Sequence, residues 1–304
     1  MEKLECMSFE KSPPDRLYHY TSIDALKGIL DTRSLWASQI HFLNNTQEFK
    51  YALQILKEVL SELRNEYPIT SVPKALGPTP WPSEPRELLA EFYRTLENKA
   101  LFDLFEKFPI CIFSLSERGD LLSQWRGYCP PSGGYSIGFS SKLLIQFLKT
   151  RDLCLKPCVY DEKEQQAMVK QAITERGQTV LKSLSNPVTE IKEIFQKCFV
   201  DFFMEFSQIA SILKHSSFYE EGEWRIISGP IGNQLMSFRV VSKSMFLPYL
   251  AIEFIEPESF PVDEIIIGPA PEQSLARLSL LQFLLKKGLN ISIKVSNIPY
   301  RELI

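Results

Sequence analysis

Histidine is scarce in this sequence: the 304 residues contain His19, His41 and His215 and no others. A histidine-rich metal centre cannot be built from three such scattered side chains, although carboxylates could still hold magnesium, and no spacing rule speaks against that. The glycine-rich phosphate fingerprints are missing as well. There is no G-x-x-x-x-G-K-[ST], and Gly133, Gly134 and Gly138 do not make G-x-G-x-x-G, which argues against a P-loop NTPase and a dinucleotide-fold dehydrogenase. H-E-x-x-H, a paired C-x-x-C and G-x-S-x-G are equally absent. Neither sign of charge dominates: 34 Lys and Arg stand against 37 Asp and Glu, for a net charge of −3 and a pI near 5.8. The chain therefore carries no global field for nucleic acid or an anionic membrane, while a local basic groove stays open.

Six cysteines in a chain of this length are not a disulfide scaffold. Cys154 and Cys158 lack a second pair to complete a zinc site, so reduced, mostly buried thiols are expected. No apolar run approaches the length that crosses a bilayer. The first fifteen residues mix acidic groups with Pro13-Pro14 and do not read as a signal peptide. A cytoplasmic protein with no membrane partner is the expectation.

What is present reads as α+β. Residues 1–15 look like a flexible arm, and 16–304 like one α+β domain. A strand at Leu17–Tyr20 is followed by a short helix over 23–30, with Thr21 or Ser22 as N-cap. Ser34–Ile40 reads as a strand, and Phe49, Ala52, Leu53, Leu56, Leu60 and Leu63 stripe one face of a helix. Six prolines between Pro68 and Pro85 mark a long loop over 68–85, a lid or an insertion. One helix is expected over 84–108, then the strand Ile110–Phe113, then a loop rich in glycine and aromatics over 124–134. Tyr135–Phe139 alternates as a half-buried strand. Long helical stretches at 162–184 and 188–215 form a helical insertion, after which the chain returns to strands near 224–228, 238–241, 250–255, 264–267 and 291–295, with a helix over 273–287. Helices and strands do not alternate strictly, so the expectation is mixed, largely antiparallel sheets with a helical insertion in the middle of the chain.

Three segments carry more polar chemistry than a scaffold needs. In Tyr18-His19-Tyr20-Thr21, an imidazole on a strand beside a helix N-terminus can meet a ligand hydroxyl, carbonyl or anion. It can equally be a core histidine on a nearby carbonyl, with Thr21 capping. Ser114 and Ser116, with Gln124, Trp125, Tyr128 and Tyr135, set flat rings beside small polar groups and Gly133-Gly134, as a planar ligand requires; the same rings could simply anchor a loop to the core. In Glu221-Gly222-Glu223-Trp224-Arg225 the three charged side chains share one face of a strand, which is either a solvated face or one side of a cleft. Glu48 stands at capping-box spacing from Asn45, so a structural role is expected for it.

The order LYHYTS, LWAS, LNNTQEF, FSLSE, SQWRGY, GYSIGF, EEGEWRI and EIIIGP resembles the bacterial family called domain of unknown function 2971, from about Leu17 to about Tyr300. Asn45 stands where that family usually has an acidic residue. The name implies no activity. A second resemblance, to ADP-ribosyltransferases, implies one. It would make His19 the ribose-binding histidine, Tyr135 the stacking aromatic and Glu223 the late-strand glutamate, although the helical stretch at 162–215 lengthens the interval between the last two. The resemblance implies NAD as substrate, with no metal expected. His19 and Thr21 would hold ribose or phosphate, with Tyr20 and Ser38 also among the binding residues, Tyr135 or Trp125 would stack on nicotinamide, and Glu223, as the catalytic group, would stabilise an oxocarbenium-like cation. Arg225 would pair with phosphate or orient Glu223, and Ser114, Ser116, Gln124, Tyr128 and Glu221 would complete the binding surface. A toxin or antiviral defence effector with a protein or nucleic-acid acceptor is the biological expectation. The alternatives are a non-catalytic module for a nucleotide-like small molecule, and a metal-dependent nuclease using Glu48, Asp120, Glu221 and Glu223. The oligomeric state is not legible.

Overall fold

The structure, a computed structural model, describes residues 11–42, 47–66, 84–131, 133–242, 244–255 and 260–299. Most of the expected arm (1–15) and nearly all of the proline-rich loop (68–85) lie outside the described residues. Strands β1 (Arg16–Thr21), β2 (Ser34–Gln39), β3 (Cys111–Ser116), β4 (Tyr135–Ser140), β5 (Leu153–Pro157), β6 (Glu223–Ser228), β7 (Ser237–Ser242), β8 (Met245–Glu253), β9 (Val262–Ile267) and β10 (Ser292–Val295) form one sheet. The strand pairings are antiparallel except for β9 with β10. With the helices below, this is the expected α+β class with a mixed, mostly antiparallel sheet.

The helices lie on both faces. α1 (Ile23–Thr32), α6 (Ser141–Leu148) and α9 (Gln273–Lys287) bury Leu26, Leu30, Leu144, Leu148, Leu280 and Leu284 against the sheet residues Leu17, Leu35, Phe113, Phe139 and Ile265. On the other face, α2 (Gln47–Glu66), α3 (Pro85–Glu97), α4 (Lys99–Lys107), α7 (Glu162–Lys182) and α8 (Val188–Ala210) form a helical layer. Its core includes Leu56, Leu60, Phe92, Phe105, Ile173, Phe202 and Phe206, with Ile112 and Ile227 of the sheet beneath. Each fully buried aromatic here contributes about 3 kcal/mol or more against truncation.

Three expectations are corrected. The helix expected over 84–108 is two, because Asn98 takes an extended backbone between α3 and α4. The loop expected at 124–134 begins as helix α5 (Leu122–Tyr128), in which Leu121 accepts from the Trp125 amide. Cys154 is disulfide-bonded, so among the described residues the expected free thiols are Cys111, Cys129, Cys158 and Cys198. Among the described residues no helix is long and apolar enough to cross a membrane.

Candidate functional site: a cleft where the sheet divides

Strand β3 is the branch point. One of its edges pairs with β6 from Ile112↔Ile227 to Ser116↔Glu223. The other edge is shared: β1 meets it at Tyr18↔Ser116, and β2 meets it at Ser38↔Ile112 and Gln39↔Cys111. Between those contacts β1 and β2 diverge, and the carbonyl of Ser114 is left in the gap. A backbone acceptor needs a partner when removed from water, and His19 supplies it, its Nδ1 standing 3.0 Å from the Ser114 oxygen. A cleft of about 620 Å³ opens over this gap, lined by His19, Thr21, Ser38, Ser114, Glu223 and Arg225 among others.

The contact fixes the state of His19. A carbonyl only accepts, so Nδ1 carries the proton and donates, and Nε2 keeps its lone pair. Burial lowers the pKa to about 4, against the pull of the Ser114 carbonyl, and the positive charge of Arg239 acts in the same direction as burial. The ring lies 4.3 Å from Phe113, which sets its orientation. His19 is thus a neutral acceptor at physiological pH.

Deeper in the cleft, Glu223 and Arg225 alternate on β6 with Trp224 between them, so both charges face the helical layer while Trp224 packs into the opposite core. Arg225 is 1% exposed and donates from Nε to Glu223 Oε1 at 2.7 Å, from Nη1 to the Ser211 carbonyl at 2.7 Å, and from Nη2 to Glu48 at 2.5 Å and to Glu223 Oε2 at 3.1 Å. Lys214, equally buried, donates to Glu223 and, at 2.5 Å, to Glu221. Gln165 of α7 donates to the carbonyls of Val159 and Lys214 at 2.7 and 2.8 Å and so holds the Lys214 segment in place. Gly222, with φ near 50°, turns the chain from Glu221 into β6 in a conformation that glycine adopts at no cost. Burial alone would raise the pKa of Glu223, but Arg225 and Lys214 outweigh it and hold the carboxyl near 2. For Glu221 burial wins, and its pKa rises.

The expected residues separate into three groups. His19, Thr21, Ser38, Ser114, Tyr128, Glu223 and Arg225 line the cleft. Tyr20, Ser116, Gln124 and Glu221 line a smaller adjoining hollow of about 60 Å³ that Tyr128 and Glu223 also reach. Ser116 Oγ donates to the Glu221 carbonyl, and Tyr20 Oη donates to the Arg118 carbonyl while accepting from the Leu121 amide, so both brace loops. Two expected stacking rings are elsewhere. Tyr135 follows the β4 alternation with Ile137 and Phe139 into the core. Trp125 is buried against Tyr20 and Ile266, its Nε1 donating to Asp120 at 2.7 Å. The aromatic group that does line the cleft from this region is Tyr128, 43% exposed.

The four carboxylates of the nuclease alternative are not gathered. Asp120 is held by Trp125, Ser296 and the Asn297 amide, while Glu48, Glu221 and Glu223 surround Lys214. Among the described residues no group of three or more His, Cys, Asp or Glu could hold a metal ion. Glu48 belongs to the site through Arg225 and Lys214; the Asn45 end of its expected capping box lies outside the described residues. Cleft residues not anticipated from sequence include Ser34, Trp36, Lys214 and Arg239. Trp36 had a signal: it alternates with Ser34 and Ser38 on β2, away from buried Leu35 and Ala37.

No curated protein and no solved structure matches the chain significantly. The resemblance expected from about Leu17 to about Tyr300 is matched over a shorter stretch, the central third that runs from α5 to β6. Residues 124–226 match the family described as "Protein of unknown function (DUF2971)", and over that stretch the chain is similar to this family.

Proposed function

We propose that the cleft binds NAD and that the protein is an NAD-cleaving or ADP-ribosyl-transferring enzyme. The observation that carries this reading is the pairing, in one cleft, of a neutral His19 with an open Nε2 and a Glu223 held ionised. Breaking the nicotinamide–ribose bond builds positive charge on the ribose, and a carboxylate fixed in its ionised form needs no proton loss to stabilise that charge. A carboxylate offers about four lone-pair positions. Arg225 Nε, Arg225 Nη2 and Lys214 occupy three at Glu223, which leaves one on Oε1 for a ribose hydroxyl. His19 Nε2 accepts from a second hydroxyl, and Tyr128 takes the stacking place that Tyr135 does not fill. Such an activity fits a toxin or antiviral effector, with a protein or nucleic acid, or water, accepting the ADP-ribosyl group.

The second reading, a non-catalytic module for a nucleotide-like ligand, is favoured by the same ion pairs, because Lys214 and Arg225 already neutralise much of the charge that Glu223 would present to a cation. Incubating the protein with NAD and following nicotinamide release by chromatography separates the two. The enzyme reading expects release that falls at least about a hundredfold in Glu223→Gln, with the circular dichroism of the variant unchanged. Nucleotide binding with no release from the wild-type protein, with or without added protein or RNA acceptors, refutes it in favour of the module.

A further inference from the structure

The cleft has a second end, formed where β7 and β8 pack beside β2. On β7 the side chains alternate: Phe238 and Val240 stand on the outer surface, 62% and 72% exposed, while Arg239 turns into the cleft. There its guanidinium lies 5.8 Å from the ring of Trp36, which is itself stacked on Tyr249 at 4.7 Å, and its Nη2 reaches Ser38 Oγ at 3.4 Å. Its Nε is buried and has no hydrogen-bond partner, and the hydroxyl of Ser34, two residues from Trp36 on the same face of β2, is buried and unpartnered as well.

Among the described residues, several other buried or half-buried arginines are paired with carboxylates: Arg225 with Glu48 and Glu223, Arg64 with Glu97, Arg94 with Glu91 and Arg176 with Glu205. Among the described residues Arg239 has no such partner. Burial pulls it below the usual arginine range, with the Tyr249 phenol opposing only weakly. A partly desolvated, delocalised cation beside an orphaned hydroxyl and a flat ring is incomplete as a structural element and complete as half of an anion site.

We infer that Arg239, Ser38 and Ser34 form the anion subsite of the cleft and take the phosphate groups of a nucleotide, with Trp36 as the platform for its base or ribose. The fork of Arg239 offers Nε and an Nη to two oxygens of one phosphate, and the β2 hydroxyls follow along the strand. The inference rests on the reading above only for the remainder of the ligand: the subsite defines a phosphate-bearing ligand whether or not Glu223 breaks a bond in it.

The test is calorimetric titration of the whole protein with ADP and with inorganic pyrophosphate, for the wild type, Arg239→Gln and Arg239→Lys. ADP is expected to bind the wild type, to bind Arg239→Gln at least tenfold more weakly, and to bind Arg239→Lys, which keeps charge but loses the fork, with an affinity in between. Removal of an unpartnered buried charge should leave the melting temperature of Arg239→Gln unchanged or raised, whereas a structural role predicts a drop. Pyrophosphate should raise the melting temperature of the wild type and not that of Arg239→Gln. Absence of ADP and pyrophosphate binding in the wild type, or equal binding in Arg239→Gln, overturns the subsite. If ADP binding depends on Arg239 while NAD is never cleaved, the subsite stands and the enzyme reading falls. Should Arg239→Gln fail to fold, Arg239→Lys decides: unaltered ADP affinity in it overturns the inference.

Discussion

Substituting Arg225 by methionine measures how far the centre of the cleft depends on charge balance. Glu48, Glu221 and Glu223 set three negative charges against the two positive charges of Lys214 and Arg225, a sum of −1. Methionine keeps most of the apolar stem but removes four donated hydrogen bonds and takes the sum to −2 at a site where Arg225 is 1% and Glu223 6% exposed. Removing one member of a buried ion pair costs about 3–5 kcal/mol, because the partner stays desolvated and uncompensated. In a chain of this size that corresponds to a melting temperature lower by roughly 6–15 °C. Adding Glu223→Gln to the methionine variant restores the sum to −1 and should recover at least about 1 kcal/mol, a coupling that a double-mutant cycle in urea at pH 7 reads directly. The loss should also shrink on acidification. Glu223 is held near 2 when folded against an ordinary 4.5, so its contribution to stability is complete above about pH 4.5 and is lost as pH falls toward 2. A methionine variant within about 1 kcal/mol of wild type at pH 7, or a cycle with no coupling, would refute the view that these charges hold one another in place.

His19 is depressed to about 4 from an ordinary 6.5, so the unfolded chain takes up a proton first as pH falls. Stability should be full above about pH 6.5 and decline toward pH 4, and urea midpoints at pH 7.5 and 5.0 should show a smaller difference in His19→Gln than in wild type. The two tyrosines should separate cleanly. Tyr135→Ala, which empties a core position, is expected to cost about 3–5 kcal/mol in urea unfolding, while Tyr128→Ala should leave stability within about 1 kcal/mol and weaken nucleotide binding several-fold in the same titrations.

Much of this was legible from residue patterns, because strands declare their faces every second residue. The alternation correctly put Glu223 and Arg225 on one face of β6, but Glu221 lies before the strand, in a 3₁₀ turn that Gly222 ends, and joins them through Lys214 rather than through a shared strand face; His19 sits on the strand expected for it. The same rule, applied to Tyr135-Ser136-Ile137-Gly138-Phe139, puts Tyr135 on the side of Ile137 and Phe139, which is the core. The resemblance to the transferases pointed that ring at a ligand, against its own alternation. Trp125 was misplaced for a different reason. Its segment is helical rather than a loop, so its ring turns inward onto Tyr20 while Tyr128, three residues on, reaches the cleft. The expected helical stretch to His215 ran past the end of α8 at Ala210, and Lys214 was counted as a helix residue when it is in fact the second cation of the site.

What no local pattern could supply is pairing across the chain. Glu48 meets Arg225 over 177 positions, and Ser38 meets Arg239 over 201; neither contact follows from the period or composition of its own segment. Both depend on β3 offering one edge to two strands, a topology in which β2 and β1 are neighbours in sequence and yet are forced apart in space. That divergence exposes the Ser114 carbonyl, the exposed carbonyl fixes the His19 proton on Nδ1, and the fixed proton makes Nε2 an acceptor. With Nδ1 on the carbonyl and a pKa near 4, Nε2 is a weak base near neutral pH, so the ring is better suited to accept a hydrogen bond than to take up a proton. On the reading proposed above, the chemistry of this cleft rests on its fixed charges, Glu223 at one end and Arg239 at the other, and His19 contributes a hydroxyl acceptor that would position the ligand.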